Sequence, residues 1–306
     1  MQHTLKTATQ ILHGVGLHTG AEVTLRMLPA APDTGLLFVR TDLSSVNTYV
    51  PAQYDSVDPD ASKLCTYLKN TAGVVVQTPE HLMAALAGCG IDNALIEISA
   101  AEVPLMDGSA KPFVDAINAV GRKAQPAPRA RLQVLKTVRV QDGDKFAELA
   151  AHDGPLSLDF TIAFPGLGQQ RRKFVLSDAQ AFTAEVASAR TFTLRSVAEA
   201  MKAAGRVKGG SLDNALVLND EDGTPYGGKA RYADEPVRHK IMDAVGDLAL
   251  AGMPIEGAYT AVRGGHMMTN QLLRALLADK SAWRIVYDIA GINVPQAETR
   301  AVQVAH

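Results

Sequence analysis

A chain of 306 residues, 47% hydrophobic and 20% charged, is long enough to bury one large core or two ordinary ones. Its formal net charge of −2, with no long basic tract, gives no general electrostatic case for a nucleic-acid partner, and the even recurrence of Val, Ile and Leu argues against disorder. The two cysteines, Cys65 and Cys89, are too widely spaced for a CxxC motif, so buried free thiols are expected in place of a disulfide framework or a cysteine-rich zinc site.

The N-terminal residues 1–20 lack the continuous apolar core of a signal peptide, and no stretch approaches about 18 apolar residues. The expectation is a cytoplasmic protein without an integral membrane segment. Alternation at 21–28, 36–43 and 93–100 predicts strands, and residues 78–90 predict a helix between them, with Thr78 as N-cap, Pro79 in the first turn and Gly88 at its end. A second helix is expected at 111–122. The prolines and small residues of 123–130 then suit a linker, which divides the chain into domains 1–124 and 125–306. Beyond it, residues 131–151 resemble a hairpin turning at "QDGD", 156–164 supply a strand, and 177–189 and 237–251 read as helices. No repeat of fixed period is visible, and no GxGxxG follows a strand. Strands and helices grouped in this way predict an α+β architecture: two α/β sandwich domains, each a mainly antiparallel sheet layered with helices.

The helix at 78–90 is apolar all round, which places Glu80 and His81 in an interior or a cleft. On the 237–251 helix, His239, Asp243 and Asp247 stand at i, i+4 and i+8 and make one narrow stripe, opposite Ile241, Val245, Leu248 and Ala249. Such a stripe is either a solvated polar face or a set of ligands. His81, His239 and Asp243 together would supply the three N/O donors of a catalytic zinc site with a position left for water, and Glu80 beside a ligand would be placed to take a proton from that water. His266, after two glycines, reads as an imidazole on a tight turn, which Asp247 can orient; Lys240 by itself reads as a surface cation.

Seven stretches, "GVGLHTG" (14–20), "DTGLLFVRTDL" (33–43), "TPEHLMAALAGCGIDN" (78–93), "PLMDGSAKPFV" (104–114), "SARTF" (188–192), "GGSLDNALV" (209–217) and "VRHKIMDAVGDL" (237–248), together resemble the UDP-3-O-acyl-N-acetylglucosamine deacetylase family. The resemblance runs from about residue 4 to at least residue 283. It implies a zinc amidase of lipid A synthesis that removes acetate from the nitrogen of a UDP-linked, 3-O-acylated glucosamine, with two sandwich domains around the active site. Carried across, it implies Zn2+ on His81, His239 and Asp243, Glu80 as general base, His266 as general acid and Asp247 as the carboxylate that orients it. Thr191 and Lys240 would stabilise the oxyanion. Lys145, Phe160 and Arg263 would lie near the nucleotide and sugar phosphate, and Phe192 and Leu194 near the substrate. A passage for the acyl chain is implied around 192–212, and a monomer is expected. Lys63, Leu194, Ala198 and Val207 depart from the family pattern there, as does the 220–236 segment, which ends in Pro236 just before the ligand helix. Two rival readings are a metal amidohydrolase acting on an unacylated nucleotide sugar, and a non-enzymatic binding protein with a structural metal.

Overall fold

The computed structural model describes residues 1–44, 47–289 and 292–295. Alternation builds the sheets as expected: along Glu22–Pro29 the residues Val23, Leu25 and Met27 turn inward, and along Ser157–Phe164 Leu158, Phe160 and Ile162 do the same.

Two five-stranded sheets dominate. The first runs Leu12–Val15, Glu22–Pro29, Ala94–Ile98, Leu36–Arg40, Tyr49–Pro51, and the second Val138–Asp142, Lys145–Ala150, Ala258–Val262, Ser157–Phe164, Gly168–Val175. Numbered in chain order within each sheet, both have the order 1-2-5-3-4, and in both only the contact between strands 5 and 3 is parallel. Each half of the chain therefore carries the same topology, although the sequence shows no repeat.

Among the described residues there are six α-helices: α1 (Glu80–Gly88), α2 (Lys111–Val120), α3 (Ala179–Glu185), α4 (Arg195–Ala203), α5 (Glu235–Ala249) and α6 (His266–Ala278). In each half the fifth strand of the sheet is bracketed by the last helix before it and the first after it, α1 and α2 in the first half, α5 and α6 in the second. The halves meet through α1 and α5. A Cβ on Gly246 of α5 would lie 2.0 Å from the Glu80 carbonyl oxygen, so the absence of a side chain there is what lets the two backbones approach. No helix among the described residues is long and apolar enough to cross a membrane.

Several local expectations need correction. Thr78 does not cap α1: its φ is +55°, its hydroxyl donates to Glu102 Oε1 at 3.1 Å, and Pro79 takes the cap position. Gly88 is needed for close packing, since a Cβ there would meet the Phe182 ring at 2.3 Å; the left-handed residue after the helix is Gly90. The hairpin expected over 131–151 is confined to 138–150, with Asp142 opposite Lys145 across Gly143; Arg129–Val134 instead joins a four-stranded sheet with Ile255–Glu256, Trp283–Ile289 and Ile292–Pro295. The 123–130 segment is no loose spacer. Arg122–Ala124 pairs with His3–Leu5, and buried Gln125 bonds Ala30 O and Asn93, each at 2.8 Å. Pro236 lies inside the first turn of α5, where its missing N–H costs nothing. Cys65 and Cys89 are free and buried, as expected.

Candidate metal centre and its cavity

The polar stripe of α5 is not solvated: His239, Asp243 and Asp247 are 3%, 4% and 3% exposed. It faces the first turn of α1, where Glu80 and His81 are equally buried. His81 Nε2 lies 3.6 Å and His239 Nε2 3.3 Å from Asp243 Oδ1, and the two imidazoles meet edge to face at 4.9 Å. The three donor atoms fall within 4.8 Å of one another.

Three observations test whether this set fits a cation. Asp243 Oδ1 is buried and accepts no hydrogen bond, an expensive state for a carboxylate oxygen unless a positive centre meets it. His239 Nδ1 lies 3.1 Å from the Ala189 carbonyl oxygen, which can only accept, so the proton sits on Nδ1 and the Nε2 lone pair points to the cluster. Burial, and then the neighbouring His239, push His81 down to about 3, and burial likewise lowers His239, so both rings are neutral at physiological pH, with lone pairs available to a metal. Asp243 is held ionised: burial works against its charge, but His239 and Lys240 outweigh it. The residues fit a divalent metal of the N/O-preferring kind.

Beside this cluster stand a carboxylate and an imidazole. His266 Nε2 lies 3.9 Å from Glu80 Oε1 and 3.9 Å from Asp243 Oδ2, while its Nδ1 is 2.8 Å from Asp247 Oδ2. Asp247 is itself fixed by the Thr66 hydroxyl, which donates to Oδ1 at 2.6 Å, and the Thr66 N–H donates to Glu80 Oε2 at 3.2 Å. Burial pushes Glu80 up to about 7 despite the opposing pull of His266. For His266 burial opposes charge, but Asp247 and Glu80 prevail and lift it to about 9. His266 is not on a tight turn: Gly265 is extended and caps α6, whose first residue is His266.

Lys240 is half-buried beside the cluster, its Nζ donating to Asp243 Oδ2 at 2.7 Å, so it is not a free surface cation. Thr191 is placed by its backbone, its N–H donating to Gly108 O at 2.7 Å and its carbonyl accepting from Leu216 N–H at 2.8 Å. These groups open into a cavity of about 510 Å³ whose walls include Glu80, His81, Thr191, Phe192, Leu194, His239, Lys240, Asp243 and His266. Much of the remaining wall is apolar, from Leu17, Val197, Ala198, Met201, Val207 and Leu212, and Lys63 and Lys202 also reach it. Phe192 sits edge-on to His239 at 6.2 Å and to Phe164 at 5.2 Å.

Three residues expected near the nucleotide and sugar phosphate do not line this cavity. Phe160 is 1% exposed on the inward face of its strand against Tyr259, because strand parity puts it with Leu158 and Ile162 in the core, not at the cavity. Lys145 and Arg263 are outside the cavity wall, one step beyond the Phe146–Val262 pair on adjacent strands and next to Gly264 and Gly265, which do line it. Arg263 has φ +52° and is ion-paired with Asp144. Sequence reasoning missed Thr66, the Ala189 carbonyl and Glu235. The last is a fully buried carboxylate that accepts from Arg190 N–H (3.0 Å), Nε (2.9 Å) and Nη2 (3.2 Å), so it braces the chain at Arg190, between Ala189 and Thr191. It belongs to the end of the 220–236 segment, where Arg231 also pairs with Asp107 at 2.8 Å. Only the neighbourhood of "SARTF" signalled any of this in advance.

The family model described as "LpxC: UDP-3-O-acyl N-acetylglycosamine deacetylase" matches residues 2–278. The chain is 45% identical over 311 aligned positions to a UDP-3-O-acyl-N-acetylglucosamine deacetylase of Haemophilus influenzae (strain PittGG), covering 99% of this chain and 98% of that one. It is 45% identical to the protein of the same name from Pasteurella multocida (strain Pm70), covering 93% and 92%, and 43% identical to that of Histophilus somni (strain 129Pt), covering 99% and 98%. With the match spanning nearly the whole chain, this protein belongs to the UDP-3-O-acyl N-acetylglycosamine deacetylase family.

Proposed function

We propose that this chain hydrolyses the N-acetyl group of UDP-3-O-acyl-N-acetylglucosamine in lipid A biosynthesis, releasing acetate and the free amine, and that its metal is zinc. The observation that carries the reading is the unpartnered Asp243 Oδ1 between two neutral imidazoles, with Glu80 and His266 beside it at the polar end of an otherwise apolar cavity. Membership of the family and the names of its relatives support the substrate. His81, His239 and Asp243 would hold the zinc, which when bound supplies Lewis acidity toward a carbonyl oxygen and a water.

The chain's own groups divide the remaining work. Glu80, ionised above about 7, takes the proton of the attacking water as its oxygen bonds to the acetamide carbon. Lys240 and Thr191, both in the cavity wall, would stabilise the oxygen on which negative charge collects. His266, held protonated up to about 9, gives its Nε2 proton to the nitrogen as the C–N bond breaks, while Asp247 keeps Nδ1 occupied so that Nε2 is the end presented. Phe192 and Leu194 would flank the substrate, with the acyl chain running toward Val197, Met201 and Val207. Lys145 and Arg263, at adjoining strand ends near the glycines of the cavity wall, suit the diphosphate; Phe160, buried on the inward face of its strand, would act on that region only through the core. A division at 124/125 into two domains, a monomeric state and a cytoplasmic location belong to the same reading; the matched sheet orders on either side of 124 support the division.

Two measurements test it. Product analysis of the acylated UDP-sugar is expected to give one acetate and one free amine per turnover; binding without acetate release would overturn the reading. Metal analysis is expected to give one zinc per chain, lost together with activity in His81→Ala; full zinc occupancy in that variant would remove the ligand assignment.

A further inference from the structure

One more carboxylate is buried behind the wall of this cavity, and the chemistry above does not use it. Glu102 is 0% exposed, and each of its oxygens accepts twice: Oε1 from the His18 N–H (2.8 Å) and the Thr78 hydroxyl (3.1 Å), Oε2 from the Thr19 N–H (2.8 Å) and the Thr19 hydroxyl (2.7 Å). All four donors are neutral. A buried carboxylate held by neutral donors is a costly way to close a loop and is tolerated only when every lone pair is used, as here.

The loop it holds is Gly16 to Gly20, and the fit is close on both sides. A Cβ on Gly16 would lie 2.4 Å from Glu102 Oε2, and a Cβ on Gly209 would lie 2.3 Å from the Gly16 carbonyl oxygen. Gly209 N–H donates to Leu17 O at 3.0 Å. The loop is thus clamped between Glu102 and residues 207–210, and its Leu17 and His18 side chains form the cavity wall that faces Val207, Gly210 and Leu212.

We propose that Glu102 is the positioning residue for the acyl-facing wall: it fixes Leu17 and His18 at the separation from residues 207–212 that accepts a fatty chain, and so sets discrimination between acylated and unacylated substrates. The proposal rests on the reading of this cavity as the acyl site. Glutamine at 102 preserves size but not acceptors. Wherever its NH2 is placed, the Thr78 or Thr19 hydroxyl can rotate to accept from it, whereas the His18 or Thr19 N–H on that side loses its partner. The damage therefore falls on the loop and spares Thr78 and the helix that follows it. Thr19→Val, at an exposed position, removes one of the four bonds without touching the carboxylate.

The experiment measures kcat and KM of the zinc-loaded protein, Glu102→Gln and Thr19→Val on the acylated UDP-sugar and on UDP-N-acetylglucosamine, with metal content and Tm on the same samples. Glu102→Gln is expected to lose about tenfold or more in kcat/KM on the acylated substrate, carried by KM, and to change by less than about twofold on the unacylated one, with metal retained. Thr19→Val is expected to show the same selectivity at about threefold. Equal losses on both substrates, or no loss on either, would overturn the proposal, and if Glu102→Gln does not fold, Thr19→Val decides by the same criterion. An unmodified protein that shows no preference for the acylated substrate would instead overturn the acyl reading of the cavity, a failure visible before any variant is made.

Discussion

At the scale of single residues, the site depends on two groups being displaced from their ordinary titration ranges in the same direction, for different reasons. Glu80 is raised to about 7 chiefly by burial; His266 is raised to about 9 because Asp247 and Glu80 overcome burial. A base must be ionised and an acid protonated, so activity should rise as pH climbs through about 7 and fall as it climbs through about 9. A plot of kcat/KM against pH checks this. His266→Ala should lose the alkaline limb along with about a hundredfold or more in rate, the range expected for a positioned proton donor. An unchanged profile and rate in that variant would exclude His266 as the acid. The two histidines of the cluster, His81 and His239, obey the opposite logic: burial keeps both rings neutral, which leaves nitrogen lone pairs free for a metal.

At the scale of elements, the decisive contact is α1 against α5. Gly246 sits where its missing side chain admits the Glu80 carbonyl, so alanine there must push the helices apart. Gly246→Ala should destabilise the protein by about 1–3 kcal/mol, the usual range for overpacking, and should weaken metal binding because His81 rides on α1 and His239 and Asp243 on α5. Thermal unfolding and metal titration read the two effects; a variant with unchanged Tm and metal affinity would show that the approach is not required. Much of this pair was legible in advance. The i, i+4, i+8 spacing of His239, Asp243 and Asp247 is a local signal, and so is an all-apolar α1 with a Glu-His start. Residues that act through chain neighbours far away were not legible: Thr66 reaches Asp247, Glu102 reaches His18, and the Ala189 carbonyl reaches His239, contacts that only the folded chain creates. The glycines before His266 read as a turn and masked the periodic Thr269, Leu272, Leu273 and Leu276 of α6, whose burial makes that segment a helix.

At the scale of the whole molecule, two sheets of identical strand order bring their fifth-strand helices together, and the active groups come from both halves of the chain. Sequence alone did not disclose the duplication, because topology constrains which positions are apolar without requiring that they be the same residues. The cavity that opens from the junction has a largely apolar wall. Burying a chain there is worth about 0.8 kcal/mol per methylene, so roughly six methylenes offer up to about 5 kcal/mol before the cost of ordering them. Leu194→Asp, which places a charge beside that apolar wall, should therefore penalise the acylated substrate by about tenfold or more in kcat/KM, and by more than it penalises UDP-N-acetylglucosamine. Parallel kinetics on the two substrates check it. That the whole assembly is a metal-dependent deacetylase with Glu80 as its base is tested most directly by counting metal and acetate on one sample of Glu80→Gln. One zinc per chain is expected, as in the unmodified protein, with acetate release from the acylated UDP-sugar slowed by about a hundredfold or more; turnover at the unmodified rate in the zinc-loaded variant would contradict the role of Glu80.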